Sequence, residues 1–341
     1  MAHKKSLEAL DRNPRDLRKN DQLLGGSLLL LVGGFRQTLP VIPNSIPADE
    51  LNTCLKTSLL WKFGKRFTLK SNIRVRFFRN ETAQHFAHIL KHIGESTFST
   101  DSNDEISFTD DFCTQVKTVQ ELINKIYPGI TENYKNHDWL CERAILAAKN
   151  NAMHELNSRI QEVIPGPVTE YRSIDTVVDS GYAVNFPIEF LNSLDPPGMT
   201  PHSLQLKIGS VIILLSNLDP QKLCNGTRLS MKRLLTNIIE ATILTGKEKG
   251  QDMFIPRIPL VPTDIPFSFK RLKFPVRLAF ALTVNKGKGQ LIRRCGVNLE
   301  SPCFSHGQLY VACSRVGSRK HLFIHAPGGK TKNVVHRQAL D

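Results

Sequence analysis

The sequence predicts an α/β protein with an additional small all-β module, and three observations support this. The run SLLLLVGG (27–34) is continuously apolar and closed by glycines, which is typical of a strand buried in a parallel sheet. ETAQHFAHILKHIG (81–94) repeats its apolar residues at helical spacing, and parallel strands need such crossover helices. From Leu204 short β-like runs alternate with turn residues, which indicates an all-β module with a barrel-like form.

The other elements follow from the same periodicities. In chain order they are a helix over 4–18, a strand and loop over 63–76, a surface loop over 96–111, a helix over 119–127, a strand, turn and helix over 141–164, a connecting stretch over 165–203, and β-like runs at 276–284, at 308–316 and from 322. No internal repeat is present in the sequence.

Composition and charge favour a folded protein that attracts polyanions. The chain has 341 residues, of which 40% are hydrophobic and 22% charged, so about two domains with real cores are expected. The net charge is +14 and the sequence pI is about 9.5. A basic balance of this size is typical of nucleic-acid-binding proteins, although a merely soluble basic enzyme is the alternative.

Several classes of protein do not fit the sequence. The seven cysteines form no CxxC pair and no histidine pair has finger spacing, so neither a zinc site nor a disulfide framework is indicated. A reducing intracellular compartment fits best. The polar start is not a secretory signal, and the run Leu28 to Val32 is far shorter than the roughly 20 residues that span a bilayer.

Polar residues that follow predicted strands are the candidate site residues. Gln37 follows the buried run, where ligand sites of α/β sheets lie, and its amide could orient a water or sense a phosphate. Arg74 follows a second β-like run, and Arg315 ends the run 304–316; arginine makes bidentate contacts with phosphate. Taken singly, each of these residues is more often a solvated side chain in a loop.

A glycine-rich loop follows the β-like run 276–284. Its donors are Thr283, Asn285, Lys286 and Gln290, and small residues let a phosphate or a nucleic-acid strand approach the backbone. This signal is weak by itself. HAPGGKT (325–331) is not a phosphate-binding loop of the form G-x-x-x-x-G-K-[ST], because Ile324 stands where the first glycine is required.

Taken together and in order, these segments resemble the Pif family of superfamily-one DNA helicases, especially the Pif-like region of Helitron transposons. The resemblance runs almost from end to end. It rests on GGFRQTLPVIP (33–43), SNIRV (71–75), AILAAKNNAMHELN (144–157), LQLKIGSVIILLSNLDPQKLCNGTRL (204–229), FPVRLAFALTVNKGKGQ (274–290) and SHGQLYVACSRV (305–316). Long collinear matches of this kind are poorly explained by chance.

The resemblance implies roles for individual residues. It assigns catalytic roles to the γ-phosphate sensor Gln37, to Arg74, which contacts the nucleotide, and to the arginine finger Arg315. ATP and Mg²⁺ would be the cofactors, and single-stranded or partly duplex DNA the partner, with no membrane and no zinc. The nucleotide-binding set is Gln37, Arg74, Gly289, Gln290 and Arg315, and the DNA-binding set is Thr283, Asn285, Lys286 and His306.

The sequence departs from the family pattern at several positions. Gly34 replaces an aspartate, and Gly287, Lys288 and Leu291 replace small, glutamine and threonine residues, which puts DNA coupling in doubt. The change to Cys313 from leucine is mild. The family's GxGGTGKT loop and its D-E magnesium pair have no counterpart in the sequence, and residues 1–5 resemble the segment that follows that pair. We therefore expect phosphoryl transfer by these residues alone to be very slow.

The expected architecture is two RecA-like domains of the P-loop NTPase helicase type, the first incomplete, with an inserted small β-barrel-like module. Residues 1–76 would be the partial first domain, 77–203 and 266–341 the two parts of the second, and 204–265 the insert. A half-domain of this kind would expose sheet edge and apolar surface.

Three functional hypotheses remain open from the sequence. The first is an ATP-dependent 5′-to-3′ DNA helicase serving DNA repair, recombination, telomere maintenance or rolling-circle transposition, although residues 1–341 alone are expected to be inactive. The second is a module that binds single-stranded DNA without ATP. The third is a non-functional transposon relic. The family implies a nuclear location, with the mitochondrion as the alternative.

Overall fold

The computed structural model describes residues 2–40, 42, 46–69, 81–178, 186–196, 199–262, 265–290 and 292–340. Its residues group into two compact units. Unit 1 comprises 1–118, 287–290 and 297–341, and unit 2 comprises 119–286 and 291–296. The domain boundaries expected from the sequence stay predictions.

Helices and strands alternate along most of the chain. The helices are α1 (Lys4–Arg18), α2 (Pro47–Asn52), α3 (Glu81–Glu95), α4 (Val119–Ile126), α5 (Ile130–Asn133), α6 (His137–Cys141), α7 (Asn150–Val163), α8 (Ile188–Ser193), α9 (Val284–Gly287), α10 (Gln308–Cys313) and α11 (Arg337–Leu340). The strands are β1 (Glu105–Ser107), β2 (Thr114–Val116), β3 (Arg143–Ala147), β4 (Thr169–Arg172), β5 (Ile174–Val177), β6 (Ser203–Leu206), β7 (Val211–Leu214), β8 (Arg228–Leu234), β9 (Ile238–Ile243), β10 (Asp252–Pro256), β11 (Ile258–Leu260), β12 (Phe269–Lys273), β13 (Val276–Leu278), β14 (Ala281–Thr283), β15 (Arg294–Asn298), β16 (Leu322–His325) and β17 (Lys330–Lys332).

A parallel strand pair forms one core of unit 2. Strand β14 runs parallel to β3, with Ala281 opposite Ile145 and Thr283 opposite Ala147. Both strands are buried, and α7 packs against them. The predicted strand, turn and helix over 141–164 are therefore confirmed, and so is the α/β class with parallel pairing.

The predicted all-β module is an open sheet, not a closed barrel. In unit 2 the strands lie in the order β10-β9-β8-β7-β13, and every pairing in it is antiparallel. Strands β10 and β13 form its two edges, and no closed barrel occurs among the residues that the structure describes. A continuous apolar cluster joins Leu229 and Ile239 of this sheet to Leu206 of β6.

The β-like run 276–284 divides between two sheets. Strand β13 pairs with β7 in the antiparallel sheet, whereas β14 pairs with β3 in the parallel one. The change falls at Ala279 and Phe280, which are completely buried. The chain therefore passes from the open sheet to the parallel pair within two residues. Strand β14 of that pair ends at Thr283.

Unit 1 contains a second parallel pair and the predicted helix over 81–94. Strand β16 runs parallel to β2, and β1 pairs antiparallel with β17. Helix α3 buries Phe86, Ile89 and Ile93, and it packs against α10. The amphipathic pattern read from the sequence thus gives both the helix and its buried face.

The prediction of a buried strand at SLLLLVGG is wrong. Residues 27–34 form no strand, and Leu28, Leu30 and Val32 are 99%, 79% and 85% exposed. Among the described residues, no neighbouring strand pairs with this segment. An apolar run forms a buried strand only where adjacent strands complete the sheet, so composition alone gave the wrong answer.

Three further predictions need correction. The strand-like run 308–316 is largely helical, since α10 spans most of it; periodicity cannot separate a short buried helix from a buried strand. The connecting stretch 165–203 contains β4, β5, α8 and the start of β6. The predicted strand at 63–76 is absent as far as residue 69, and its remainder lies outside the described residues.

Candidate functional site

The loop that carries Gln37 lies against the start of α10 in unit 1. His306 is completely buried, and its Nε2 lies 2.7 Å from the carbonyl oxygen of Phe35. Its Nδ1 accepts a hydrogen bond of 2.8 Å from the backbone N–H of His336, so the proton is on Nε2, which donates to Phe35. Burial lowers the pKa of His306, and the nearby His336 lowers it further. His306 is therefore neutral, and its hydrogen bond to Phe35 holds the Gln37 loop in place.

Gly307 allows the close approach of this loop. Its φ is +67°, in the region that favours glycine. A Cβ atom at this position would lie 2.4 Å from the carbonyl oxygen of Arg36 and 2.8 Å from the carbonyl carbon of Gln37. The backbone of Gln37 is thus held directly against the residue that precedes α10. Its N–H donates to the carbonyl oxygen of Gly34 over 3.3 Å.

Arg315 follows α10 and is held by that helix. Its Nε donates to the carbonyl oxygen of Val311 over 2.9 Å, and one terminal nitrogen donates to Ser314 Oγ over 2.9 Å. These two bonds orient the guanidinium group, which a residue that stabilises phosphate charge requires.

The loop segment 287–290 belongs to the same unit. Burial lowers the pKa of the Lys288 ammonium, and the charge of Arg315 lowers it further, so the two cations are near each other. Gly289 has a φ of +81° and open space around it, and the N–H of Gln290 donates to Gly287 over 3.2 Å. Unit 1 therefore combines the Gln37 loop, segment 287–290 and the Arg315 turn, a set of cations and amides that suits phosphate.

The other predicted DNA-binding residues lie in unit 2. Thr283 is the last residue of β14, at the carboxyl end of the parallel pair. Asn285 and Lys286 are in α9, and Lys286 Nζ donates to Asn225 Oδ1 over 2.9 Å. Surrounding protein lowers the pKa of Lys286, and the charge of Arg277 adds to this. The glycine-rich turn is therefore tied to the segment LDPQKLCNGT (218–227).

The DNA contact predicted for His306 and the roles predicted for the other residues stay predictions. His306 lies inside the protein with both ring nitrogens engaged, so the structure shows it as a residue that positions the Gln37 loop. Arg74 lies outside the described residues, and nothing is placed for it.

Two buried residues that position the site were not recognised from the sequence. The Asn157 side chain donates to the carbonyl oxygen of Ala281 and accepts from its N–H, both over 2.9 Å, and so holds β14 against α7. The guanidinium of Arg228 donates to the carbonyl oxygens of Arg143 and Ala279 over 2.9 and 3.3 Å. Both lie in segments that carry the family resemblance, the signal that could have found them.

The donor set does not fit a protein-held magnesium ion. Among the residues that the structure describes, no group of three or more histidine, cysteine or acidic side chains could hold a metal. Mg²⁺ prefers carboxylate and phosphate oxygens, and the site described above contributes cations and amides. The described part of the chain also has no helix that is long and apolar enough to cross a membrane.

Sequence comparison with protein families gives two matches. The model described as PIF1-like helicase matches residues 1–104. The model described as DNA helicase Pif1, 2B domain, matches residues 189–234. The second range includes β6, β7 and β8 of the open sheet.

Curated relatives match over most of the chain. ATP-dependent DNA helicase PIF1 of Danio rerio is 22% identical over 335 residues, which cover 94% of this chain and 44% of the relative. ATP-dependent DNA helicase RRM3 of Saccharomyces cerevisiae is 25% identical over 350 residues, covering 91% of this chain and 47% of the relative. The chain thus spans less than half the length of these two relatives.

Solved structures define the class of fold. The Pif1 helicase from Candida albicans superposes with a TM-score of 0.64 at 20% identity, covering all of this chain and 73% of that one. Bacteroides Pif1 bound to ssDNA gives 0.62 at 16% identity, covering all of this chain and 70% of that one. The chain has the RecA-like α/β helicase fold. Together with the family matches, this shows that the chain is similar to Pif1-like helicases along most of its length.

Proposed function

We propose that residues 1–341 carry part of an ATP-dependent DNA motor that couples nucleotide hydrolysis to unwinding. The observation that carries the proposal is the packing within unit 1 of the Gln37 loop against the turn at His306 and Gly307, which leads through α10 to Arg315. These are the segments to which the family resemblance assigns γ-phosphate sensing and the arginine finger. Because the Gln37 loop contacts the turn at His306 and Gly307, a movement of the loop would be passed to α10 and Arg315.

The chemistry expected of these residues follows from their charge. The Arg315 guanidinium would stabilise charge that develops on the γ-phosphate, and the Gln37 amide would orient the attacking water. Lys288 adds a second cation close to Arg315. The described residues give Mg²⁺ no carboxylate cluster, so no step is assigned to the metal.

DNA is the proposed partner. The net charge of +14 supports this, and so does the similarity to Bacteroides Pif1 bound to ssDNA. The turn with Thr283, Asn285 and Lys286 is the proposed contact region in unit 2. Repair, recombination, telomeric and transposition roles remain proposals by family, as does a nuclear location, with the mitochondrion as the alternative.

A second candidate is a module that binds single-stranded DNA without ATP. A non-functional transposon relic is the third, in which DNA binding would also be lost. The observation that favours the second candidate is the lack of a G-x-x-x-x-G-K-[ST] match in the sequence, together with the poor fit to Mg²⁺. Binding of an ATP analogue that weakens in Arg315→Ala separates the motor from this candidate, whereas both candidates require DNA binding.

DNA binding is tested by fluorescence anisotropy with a labelled oligo-dT strand at two salt concentrations. Binding should weaken steeply as salt rises, because phosphate contacts release counterions. Lys286→Gln should weaken binding and reduce the slope of log affinity against log salt, whereas Lys247→Gln, on an exposed turn of the same unit, should change neither. Affinity that is the same at both salt concentrations would contradict the proposed electrostatic contact.

A further inference from the structure

A polar cavity lies within unit 2. It has a volume of about 290 Å³ and is lined by residues of α7, β6 and β13 with the segment around them. This is near the lower end of the range for small-molecule sites, roughly 300–1,000 Å³. His154, Ser158 and Gln161 line it from α7 at spacings of four and three residues, so they share one face of the helix.

The charge of the cavity lining is positive. Arg277 lines it, and the lining includes no carboxylate group. The side chain of Arg277 is 13% exposed, and burial lowers the pKa of its guanidinium. Its nearest acidic oxygen belongs to Asp195, 3.6 Å away on a side chain that is 62% exposed. The arginine charge is therefore only weakly compensated where it faces the cavity.

Arg277 also has hydrogen-bonding capacity to spare. One terminal nitrogen donates to the carbonyl oxygen of Met199, and the other lies 3.5 Å from His154 Nε2. Its Nε is buried and has no hydrogen-bond partner among the residues that the structure describes. Each terminal nitrogen of a guanidinium carries two N–H groups, so Arg277 can donate further hydrogen bonds to an acceptor in the cavity.

His154 adds a second group that can recognise an anion. Burial lowers the pKa of its imidazole, and the charge of Arg277 lowers it further. The ring therefore stays neutral until an anion enters, and an anion would offset the charge of Arg277. The hydroxyl of Ser158 lines the same face of α7 one turn further along.

We infer that this cavity binds a phosphate ester, with Arg277 as its main contact and His154 and Ser158 beside it. A phosphate group offers several acceptor oxygens, and the planar guanidinium matches them with two parallel donors. The cavity also has room for part of a sugar attached to the phosphate. The inference does not depend on ATP hydrolysis or DNA unwinding by the chain.

Isothermal titration of the whole chain with inorganic phosphate tests the inference. The wild type and Arg159→Gln should bind alike, because Arg159 lies on α7 but pairs with Glu155 on the exposed surface. Arg277→Gln should raise the dissociation constant at least tenfold. Equal binding by Arg277→Gln and the wild type, or no binding by either, would overturn the inference.

A second measurement needs no arginine variant, in case Arg277→Gln fails to fold. The ring signals of His154, assigned with His154→Gln, should shift when phosphate is added to the wild type. Those of His85, on the exposed side of α3, should not. Unchanged His154 signals at saturating phosphate would also overturn the inference.

The same variants distinguish the source of the phosphate group. If Arg277→Gln also weakens binding of oligo-dT, the cavity takes a backbone phosphate of the DNA strand, and this arm rests on the proposed function. If phosphate binding is lost and oligo-dT binding is unchanged, the ligand is a free phosphate ester. Phosphate binding by a wild type that does not bind oligo-dT would reject the proposed DNA partner and leave the inference standing.

Discussion

Replacing Asn157 by leucine should destabilise unit 2 strongly. The side chain is 2% exposed, and its amide covers the N–H and the carbonyl of Ala281 on β14, each over 2.9 Å. Leucine has a similar volume but no polar atoms, so both backbone groups would be left buried and unpaired. At about 1–3 kcal/mol for each unsatisfied group, Asn157→Leu should lower the free energy of unfolding by about 2–6 kcal/mol.

The assay is urea denaturation followed by tryptophan fluorescence. The chain has two tryptophans, Trp61 in unit 1 and Trp139 in unit 2. In a Trp61→Phe background the signal reports on unit 2 alone, through Trp139, which packs against Tyr127. The free energy of unfolding is then obtained by linear extrapolation to zero urea.

The matched control is Asn151→Leu, on an exposed position of the same helix, which should change stability by less than about 0.5 kcal/mol. A loss of less than about 1 kcal/mol for Asn157→Leu, with an unchanged denaturant slope, would contradict this expectation. In that case the amide would not be what secures β14.

Gly307→Ala should lower the melting temperature of unit 1 much more than Gly328→Ala, because both have positive φ (+67° and +64°) but only the first meets backbone within 3 Å. Asp175→Ala should cost about 3–5 kcal/mol, since it leaves its fully buried arginine partner unpaired, whereas Asp252→Ala in an exposed ion pair should cost at most about 1 kcal/mol. The pKa of His306 is lower in the folded chain than in the unfolded chain, so below pH about 6.5 the unfolded chain binds a proton that the folded chain does not bind. The free energy of unfolding should therefore fall as the pH drops below about 6.5.

These three predictions have separate contradicting results. Equal melting temperatures for the two glycine variants would show that the loop at Gln37 can move away from α10. A loss near 1 kcal/mol for Asp175→Ala would mean that water reaches the buried pair. The pH dependence is measured by thermal melts at pH 7.5 and 5.5, and His306→Gln should show a smaller difference than the wild type; an unchanged difference would assign it to other histidines.

Local pattern was enough to predict the elements whose partners lie nearby in the chain. The helix over 81–94 and the strand, turn and helix over 141–164 are present because amphipathic spacing decides which face is buried. The open sheet beyond Leu204 was also expected as short strands. The open form of this sheet was not expected. Closure into a barrel depends on whether the two edge strands pair, and no local sequence pattern determines that.

The failures share one physical cause. The run 27–34 and the run 308–316 both read as buried strands, yet one is exposed chain and the other a helix. Whether an apolar run becomes a strand depends on which neighbours are available to pair with it, and that is tertiary information. The contact of the Gln37 loop with His306 was likewise not predicted, since about 270 residues of sequence separate them.

The central claim is that the Gln37 loop, α10 and Arg315 form a nucleotide-responsive unit, and binding of a fluorescent ATP analogue tests it most directly. Purified residues 1–341 would be compared with Arg315→Ala by binding and not by hydrolysis, because little or no turnover is expected from a sequence that has no phosphate-binding loop. We expect the wild type to bind the analogue and Arg315→Ala to bind it at least tenfold more weakly, since the guanidinium contacts phosphate oxygens. Equal binding by the two proteins, or no binding by the wild type, would contradict the claim.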